Sequence, residues 1–97
     1  MKTLSDIMAI LARHREQISR DYRVKEIGVF GSYARGKQGK RSDIDILVQF
    51  QTPVGLLTFL RLEEHLSELL GAKVDLVTKG ALKPRIGERI LKETVYV

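Results

Sequence analysis

The hydrophobic positions along this chain alternate between helical and strand-like periodicity. Apolar residues recur at helical spacing over residues 3–20 and again over residues 55–70, so two long amphipathic helices are predicted. Three shorter stretches show the two-residue periodicity that is typical of strands: residues 24–30, 43–50 and 72–78. Residues 82–92 predict a short helix, although Gly87 weakens that interpretation. The tail TVYV is interpreted as an edge strand or an extended end.

Strands that alternate with helices predict an α/β domain with a small mixed β-sheet flanked by helices. The expected order is helix, strand, short helix, strand, helix, strand, helix, with a possible C-terminal edge strand. A length of 97 residues without an internal linker or repeat favours one domain that spans residues 1–97. No apolar run approaches the roughly 20 residues that a membrane-spanning helix needs. We therefore expect a cytoplasmic protein that does not insert into membranes.

Two aspartates interrupt the second predicted strand at positions where the apolar pattern would favour valine. Asp43 and Asp45 are two residues apart, so their side chains lie on one face, with Cα atoms about 7 Å apart. Two carboxylates this close repel each other, and a divalent cation between them removes the repulsion. Asp75 is flanked by apolar residues in the third strand. If the two strands are neighbours, three carboxylates converge, enough for two metal ions roughly 4 Å apart.

Gly31 and Ser32 follow the first predicted strand at the point where a helical turn can begin. Backbone N–H groups at such a turn bind phosphate oxygens, glycine permits close approach, and the serine hydroxyl adds a donor. The surrounding loop is basic and carries four cationic residues: Arg35, Lys37, Lys40 and Arg41. The formal net charge of +5 also favours an anionic partner, although solubility alone is a sufficient reason for it.

Each of these features also has a purely structural interpretation. A Gly-Ser pair after a strand is commonly a simple turn, and an Asp-x-Asp pair can protect a strand edge. Asp75 alone could pair with Lys73 or Arg85. The combination is harder to attribute to packing, because three carboxylates and a phosphate-type turn are predicted on one face.

This combination resembles a known signature. Gly31-Ser32, ten intervening residues and then Asp43-Ile44-Asp45 are similar to the signature of the nucleotidyltransferase superfamily that includes DNA polymerase beta. The longer string GSYARGKQGKRSDIDILV resembles the minimal nucleotidyltransferase family, the MntA-type antitoxins that accompany HEPN toxins. The resemblance covers nearly the whole chain and includes the segments VDLV and ILKETVYV.

The resemblance implies a nucleotidyltransferase fold and a set of site residues. Gly31 and Ser32 would contact the nucleotide phosphates, and Asp43 and Asp45 would bind metal. Asp75, within VDLV, would be the third carboxylate, acting as a ligand and as the base for the incoming hydroxyl. All five positions match the family pattern.

The resemblance further implies the activity and the partners. AMP would pass from ATP to a hydroxyl, a tyrosine of a HEPN RNase toxin, with release of pyrophosphate and silencing of the toxin. Two Mg²⁺ ions, or Mn²⁺, would assist, and Arg35 would contact phosphate or the partner. So short a chain leaves no room for an acceptor domain, which favours a protein partner and allows self-association.

Two alternatives remain open at this point. The chain could neutralise its partner by occlusion, without catalysis, or it could transfer nucleotide to RNA or to a small hydroxylated compound. Only 6% of residues are aromatic, and none interleave with basic residues as an RNA-stacking surface requires, which disfavours specific nucleic-acid binding.

Overall fold

The structure of the chain is a computed structural model that describes residues 2–97. Helices and strands alternate along it: α1 (Leu4–Tyr22), β1 (Val24–Phe30), α2 (Gly31–Ala34), β2 (Ile44–Phe50), α3 (Leu56–Leu70), β3 (Val74–Thr78), α4 (Pro84–Glu93) and β4 (Val95–Tyr96). A single 3₁₀ turn, Lys79–Ala81, joins β3 to α4. The predicted elements are all present, and most of their boundaries differ from the prediction by one or two residues.

The four strands form one mixed sheet in the order β3-β2-β1-β4. Strand β1 runs antiparallel to both β2 and β4, whereas β2 and β3 are parallel. Helix α3 makes the connection that a parallel pair requires. The predicted class, a small mixed α/β sheet with helices, is confirmed, and the tail forms the short edge strand β4.

Helix ends follow local rules that the sequence displays. The Thr3 hydroxyl accepts from the Asp6 N–H at 3.2 Å, and the Asp6 carboxylate accepts from the Thr3 N–H at 3.0 Å. This reciprocal capping box satisfies two donors that α1 leaves free at its start. Gly71 ends α3 with a φ of 63°, in the left-handed region, which glycine adopts with less strain than any other residue.

Helices α1 and α3 pack on the same face of the sheet and enclose the core. Their contribution is a set of fully buried aliphatic side chains: Ile7, Leu11, Ile18, Leu62, Leu66 and Leu70. Alternate strand residues face them, among them Ile44 and Ile46 of β2. Burial of each such side chain contributes about 1.5–3 kcal/mol. The predicted stripe of α3 ended at Leu69, but the structure buries Leu70 fully and Leu69 only in part.

The opposite face of the sheet is available for polar side chains. Because Ile44 and Ile46 point into the core, Asp45 between them points to this second face. Helix α2 and the 3₁₀ turn contact β2, and α4 contacts α2. In residues 2–97 no helix is long and apolar enough to cross a membrane.

Two side chains of α3 cover the outer edge of β3. The Glu63 carboxylate accepts from the Leu76 N–H at 2.9 Å, and the Ser67 hydroxyl accepts from the Val74 N–H at 3.1 Å. The same hydroxyl donates to the Glu63 carbonyl at 2.9 Å. Since an edge strand leaves backbone donors without a strand partner, these contacts tie helix α3 to the sheet.

We expect Glu63→Ala to lower the free energy of unfolding by about 1–3 kcal/mol, because the half-buried Leu76 N–H loses its acceptor. Urea unfolding followed by circular dichroism measures the change. Glu64→Ala, at the exposed neighbouring position, is the control and should stay within about 0.5 kcal/mol of the wild type. Equal losses in the two variants would show that the Glu63 contact contributes nothing.

Candidate functional site

Asp45 and Asp75 occupy facing positions on neighbouring strands. They are register partners in the parallel pair of β2 and β3, so both side chains project from the same face of the sheet. On its other side Asp45 is the register partner of Phe30, the last residue of β1. The start of β2 therefore brings a carboxylate pair next to the point where β1 ends.

Gly31 lies directly against the Asp45 carboxylate. Its φ of 75° is in the left-handed region, which favours glycine. A Cβ atom at this position would lie 2.9 Å from Asp45 Cγ and would collide with Oδ2. Glycine is thus required here for two independent reasons, backbone conformation and space. The second is a contact with a protein carboxylate, which the sequence reasoning did not foresee.

The short helix α2 holds this turn in place. The Arg35 N–H donates to the Gly31 carbonyl at 3.1 Å, and the Lys37 N–H donates to the Ser32 carbonyl at 2.9 Å. The Tyr33 side chain is buried in the core cluster and anchors the turn. Ser32 is half-buried at the second position of the helix. The Gly31-Ser32 turn and Asp45 are therefore adjacent, as the predicted site requires.

The electrostatic environment of Asp45 is unfavourable to its charged form. Desolvation by burial, followed by the charges of Asp75 and Asp43, raises the pKa of the Asp45 carboxyl. The Arg35 guanidinium opposes this effect and lowers the pKa, whereas Glu93 raises it. A carboxylate with like-charged neighbours is the environment in which a divalent cation is stabilising.

The three predicted ligands are not gathered into one cluster. Asp43 precedes β2 and lies 3.8 Å from Lys73 Nζ, and both side chains are well exposed at 44% and 80%. Asp75 is also exposed. Among residues 2–97 no group of three or more His, Asp or Glu side chains has a spacing that could hold a metal ion. The ligand roles of Asp43, Asp45 and Asp75 stay predictions.

Arg35 makes a specific contact that the sequence reasoning missed. Its Nη1 lies 2.8 Å from Glu93 Oε2, at the last residue of α4. The two residues are 58 positions apart, so no local spacing could reveal the pair. In the structure Glu93 follows the partly buried Ile90 by three residues, which places both on the inner side of the helix. The remaining basic residues of the loop, Lys37, Lys40 and Arg41, are exposed.

A pocket of about 570 Å³ lies away from the aspartates, at the C-terminal ends of β2 and β3. Phe50, Gly55, Phe59 and Thr78 are among the residues that line it. None of the aspartates contributes to it. The carboxylate pair lies instead on the second face of the sheet, beside α2.

Comparison with known proteins identifies the family. A model of the nucleotidyltransferase domain matches residues 11–97. The protein adenylyltransferase MntA of Thermococcus cleftensis is 50% identical over 97 residues, which cover 100% of this chain and 98% of the relative. This chain belongs to the nucleotidyltransferase family and is an enzyme of that class.

Two solved structures extend the comparison to the fold. A structure proposed to be a minimal nucleotidyltransferase has a TM-score of 0.83 and 35% identity, and the match covers 97% of this chain and 95% of that one. A toxin–antitoxin structure with AMP-PNP has a TM-score of 0.72 and 26% identity, with coverage of 87% and 69%. The minimal nucleotidyltransferase fold that the motif resemblance implied is confirmed.

The contact between Gly31 and Asp45 can be isolated with two glycine variants. Gly36 also has a left-handed φ, 69°, but no atom lies within 4 Å of a Cβ placed there. Gly36→Ala should therefore cost only the backbone term, about 1–2 kcal/mol. We expect Gly31→Ala to cost roughly 3 kcal/mol or more in urea unfolding, because it adds a clash with the carboxylate.

Introducing Gly31→Ala into an Asp45→Ala chain provides the check on that interpretation. The cost of the glycine change should then fall towards the value for Gly36→Ala, since the clashing group is absent. A cost that is unchanged in the Asp45→Ala background would assign the effect to the backbone alone.

The raised pKa of Asp45 predicts a pH dependence of stability. Because the pKa of Asp45 in the folded state is above its ordinary value of 3.8, the folded protein holds this proton more tightly than the unfolded chain does. Stability from this group is therefore lost as pH rises from about 4 through the raised pKa. We expect Asp45→Asn to lack this loss and to be more stable than the wild type at pH 7 in EDTA. Thermal unfolding across this pH range measures it, and a less stable Asp45→Asn at pH 7 would contradict it.

Proposed function

We propose that this nucleotidyltransferase is a protein adenylyltransferase that transfers AMP from ATP to a hydroxyl group of a partner protein. The observation that carries the proposal is the register of Asp45 with Asp75 beside the Gly31-Ser32 turn. Phosphoryl-group transfer needs a site that fixes a polyphosphate next to clustered negative charge that a cation can neutralise. The 50% identity to the adenylyltransferase MntA supports AMP as the transferred group.

The turn supplies the groups that would bind the phosphates. The backbone N–H groups of Gly31 and Ser32 lie at the start of α2, where no intrahelical acceptor is available to them. The Ser32 hydroxyl adds a donor, and the Arg35 guanidinium adds a positive charge at the same end of the sheet. Together they would orient the triphosphate with its α-phosphorus towards the carboxylates.

The carboxylates suit a divalent cation by their donor chemistry rather than by their spacing in the structure. Asp43, Asp45 and Asp75 offer hard oxygen donors. Burial, and then the charges of Asp75 and Asp43, raise the pKa of Asp45, and a divalent ion would relieve the repulsion between these charges. We propose that these three residues bind two Mg²⁺ ions. Mn²⁺ is the alternative metal. Bound there, the metal would neutralise charge on the transferring phosphoryl group.

The reaction is an in-line displacement at the α-phosphorus. The acceptor hydroxyl forms the new P–O bond, the bond to the bridging oxygen of the β-phosphate breaks, and pyrophosphate leaves. The hydroxyl proton passes to Asp75, the exposed carboxylate of the pair. We propose a tyrosine as the acceptor.

We further propose that the acceptor lies on a HEPN toxin, so that this chain acts as its antitoxin. The similarity to a toxin–antitoxin structure with AMP-PNP supports both a toxin partner and the use of an adenine nucleotide. In this proposal residues 1–97 form a single catalytic domain that takes its acceptor from another chain. The reaction would take place in the cytoplasm, because it consumes ATP.

The experiment combines the purified chain, a HEPN partner, α-labelled ATP and Mg²⁺. We expect label to pass to the partner, whose intact mass should increase by one or more adenylyl units. Asp43→Asn together with Asp45→Asn should reduce the transfer about 100-fold or more, because the phosphoryl charge is no longer neutralised. EDTA should abolish the transfer in the unmodified chain.

Asp21→Asn is the control variant for this experiment. Asp21 lies on α1 and is well exposed, and among residues 2–97 its one ion-pair partner is Arg20 at 3.5 Å, so its loss should leave transfer unchanged. If the double aspartate variant still neutralises the toxin at equal concentration, occlusion rather than catalysis would explain neutralisation.

A further inference from the structure

Glu93 forms an ion pair with Arg35 across the second face of the sheet. The Arg35 Nη1 and the Glu93 Oε2 lie 2.8 Å apart, and the Glu93 side chain is only 25% exposed against 48% for Arg35. A guanidinium on a flexible stem carries about 2 kcal/mol of rotamer entropy when it is free, so a fixed partner restricts it strongly. The ion pair also joins α2 to the end of α4.

Both ends of this pair are held by backbone contacts. The Arg35 backbone N–H donates to the Gly31 carbonyl at 3.1 Å. After Glu93, the Thr94 N–H donates to the Ile90 carbonyl at 3.0 Å. The Thr94 methyl group lies over Gly28, where an added Cβ would approach it to 2.6 Å. Since β4 then pairs with β1, the backbone that carries Glu93 is held against the sheet.

The pair leaves Arg35 with capacity for a second partner. The guanidinium has five N–H donors, and one Nη1 contact to Glu93 uses only a part of them. The Arg35 N–H donates to the Gly31 carbonyl at 3.1 Å, and Gly31 lies against the Asp45 carboxylate, so Arg35 belongs to the same turn as the candidate site. The remaining donors are therefore on a side chain of the turn that is proposed to hold the phosphates.

We propose that Glu93 is a positioning residue, which through its ion pair orients the Arg35 guanidinium beside Asp45 for contact with the phosphates of the nucleotide. This inference rests on the proposed function, because it requires a triphosphate on the Gly31-Ser32 turn. Glu93 itself does not touch the nucleotide. It lowers the conformational cost of binding by restricting Arg35 before the ligand arrives.

A double-mutant cycle on nucleotide affinity tests this inference. The probe is AMP-PNP with Mg²⁺, and its Kd is measured by calorimetry for the wild type, Glu93→Gln, Arg35→Ala and the double variant. We expect Glu93→Gln to raise the Kd about 3–10-fold, and to change it less than about 2-fold in the Arg35→Ala background. Glu88→Gln, on the exposed side of α4, should leave the Kd unchanged.

The possible outcomes separate the two levels of the proposal. Wild-type protein that binds no nucleotide would overturn the proposed function. A wild type that binds, with an unchanged or lower Kd in Glu93→Gln, would overturn the positioning role alone. An effect of Glu93→Gln that persists in the Arg35→Ala background would assign Glu93 to the packing of α4.

Arg35→Lys provides a second route if the Glu93 variants fold poorly. Lysine preserves a positive partner for Glu93 but lacks the planar arrangement of donors. We expect the thermal midpoint to stay within a few degrees of the wild type while the Kd rises severalfold. An unchanged Kd would remove the specific requirement for a guanidinium and would contradict the positioning role.

Discussion

The close contact between Gly31 and the Asp45 carboxylate determines the geometry of the candidate site. The chain reverses at the end of β1 only because Gly31 adopts a left-handed conformation, and only glycine leaves room for the carboxylate beside it. The phosphate-type turn and the acidic pair are therefore parts of one packed unit.

The position of this unit depends on the opposite face of the sheet. Ile44 and Ile46 are fully buried against the helices, and they fix the register that turns Asp45 outward. The repulsion between Asp45 and Asp75 is unfavourable on its own, and burial of the apolar core offsets it. A stable core on one face thus permits an electrostatically strained arrangement on the other, which is common at functional sites.

The features that the sequence predicted are local in origin. The strand pattern, the Gly31-Ser32 turn and the spacing of Asp43 from Asp45 each lie within a few residues, so their periodicity is visible in the chain. The approach of Asp45 to Asp75 was expected on the assumption that two strands are neighbours, and the structure adds their register. The ion pair of Arg35 with Glu93 joins residues 58 positions apart, and no pattern in the sequence specifies it.

The same distinction applies to the three aspartates, which the structure does not gather into one cluster among residues 2–97. Strand geometry relates Asp43 to Asp45, but Lys73 lies close enough to attract Asp43, and this contact depends on how the loops pack. The resemblance to a known family supplied roles for these residues that spacing alone could not. The fold and the family were therefore predictable, whereas the side-chain arrangement around the aspartates was not.

The covering of β3 by α3 also limits how copies of this chain could assemble. Glu63 and Ser67 occupy backbone donors on that side, so a strand from a neighbouring molecule would meet side-chain oxygens instead of free N–H groups. Of the two sheet borders in residues 2–97, only the one formed by the two-residue strand β4 is without this protection. Continuous edge-to-edge pairing of many molecules needs an unpaired strand at both edges of the sheet. In this fold the β3 edge is covered by α3.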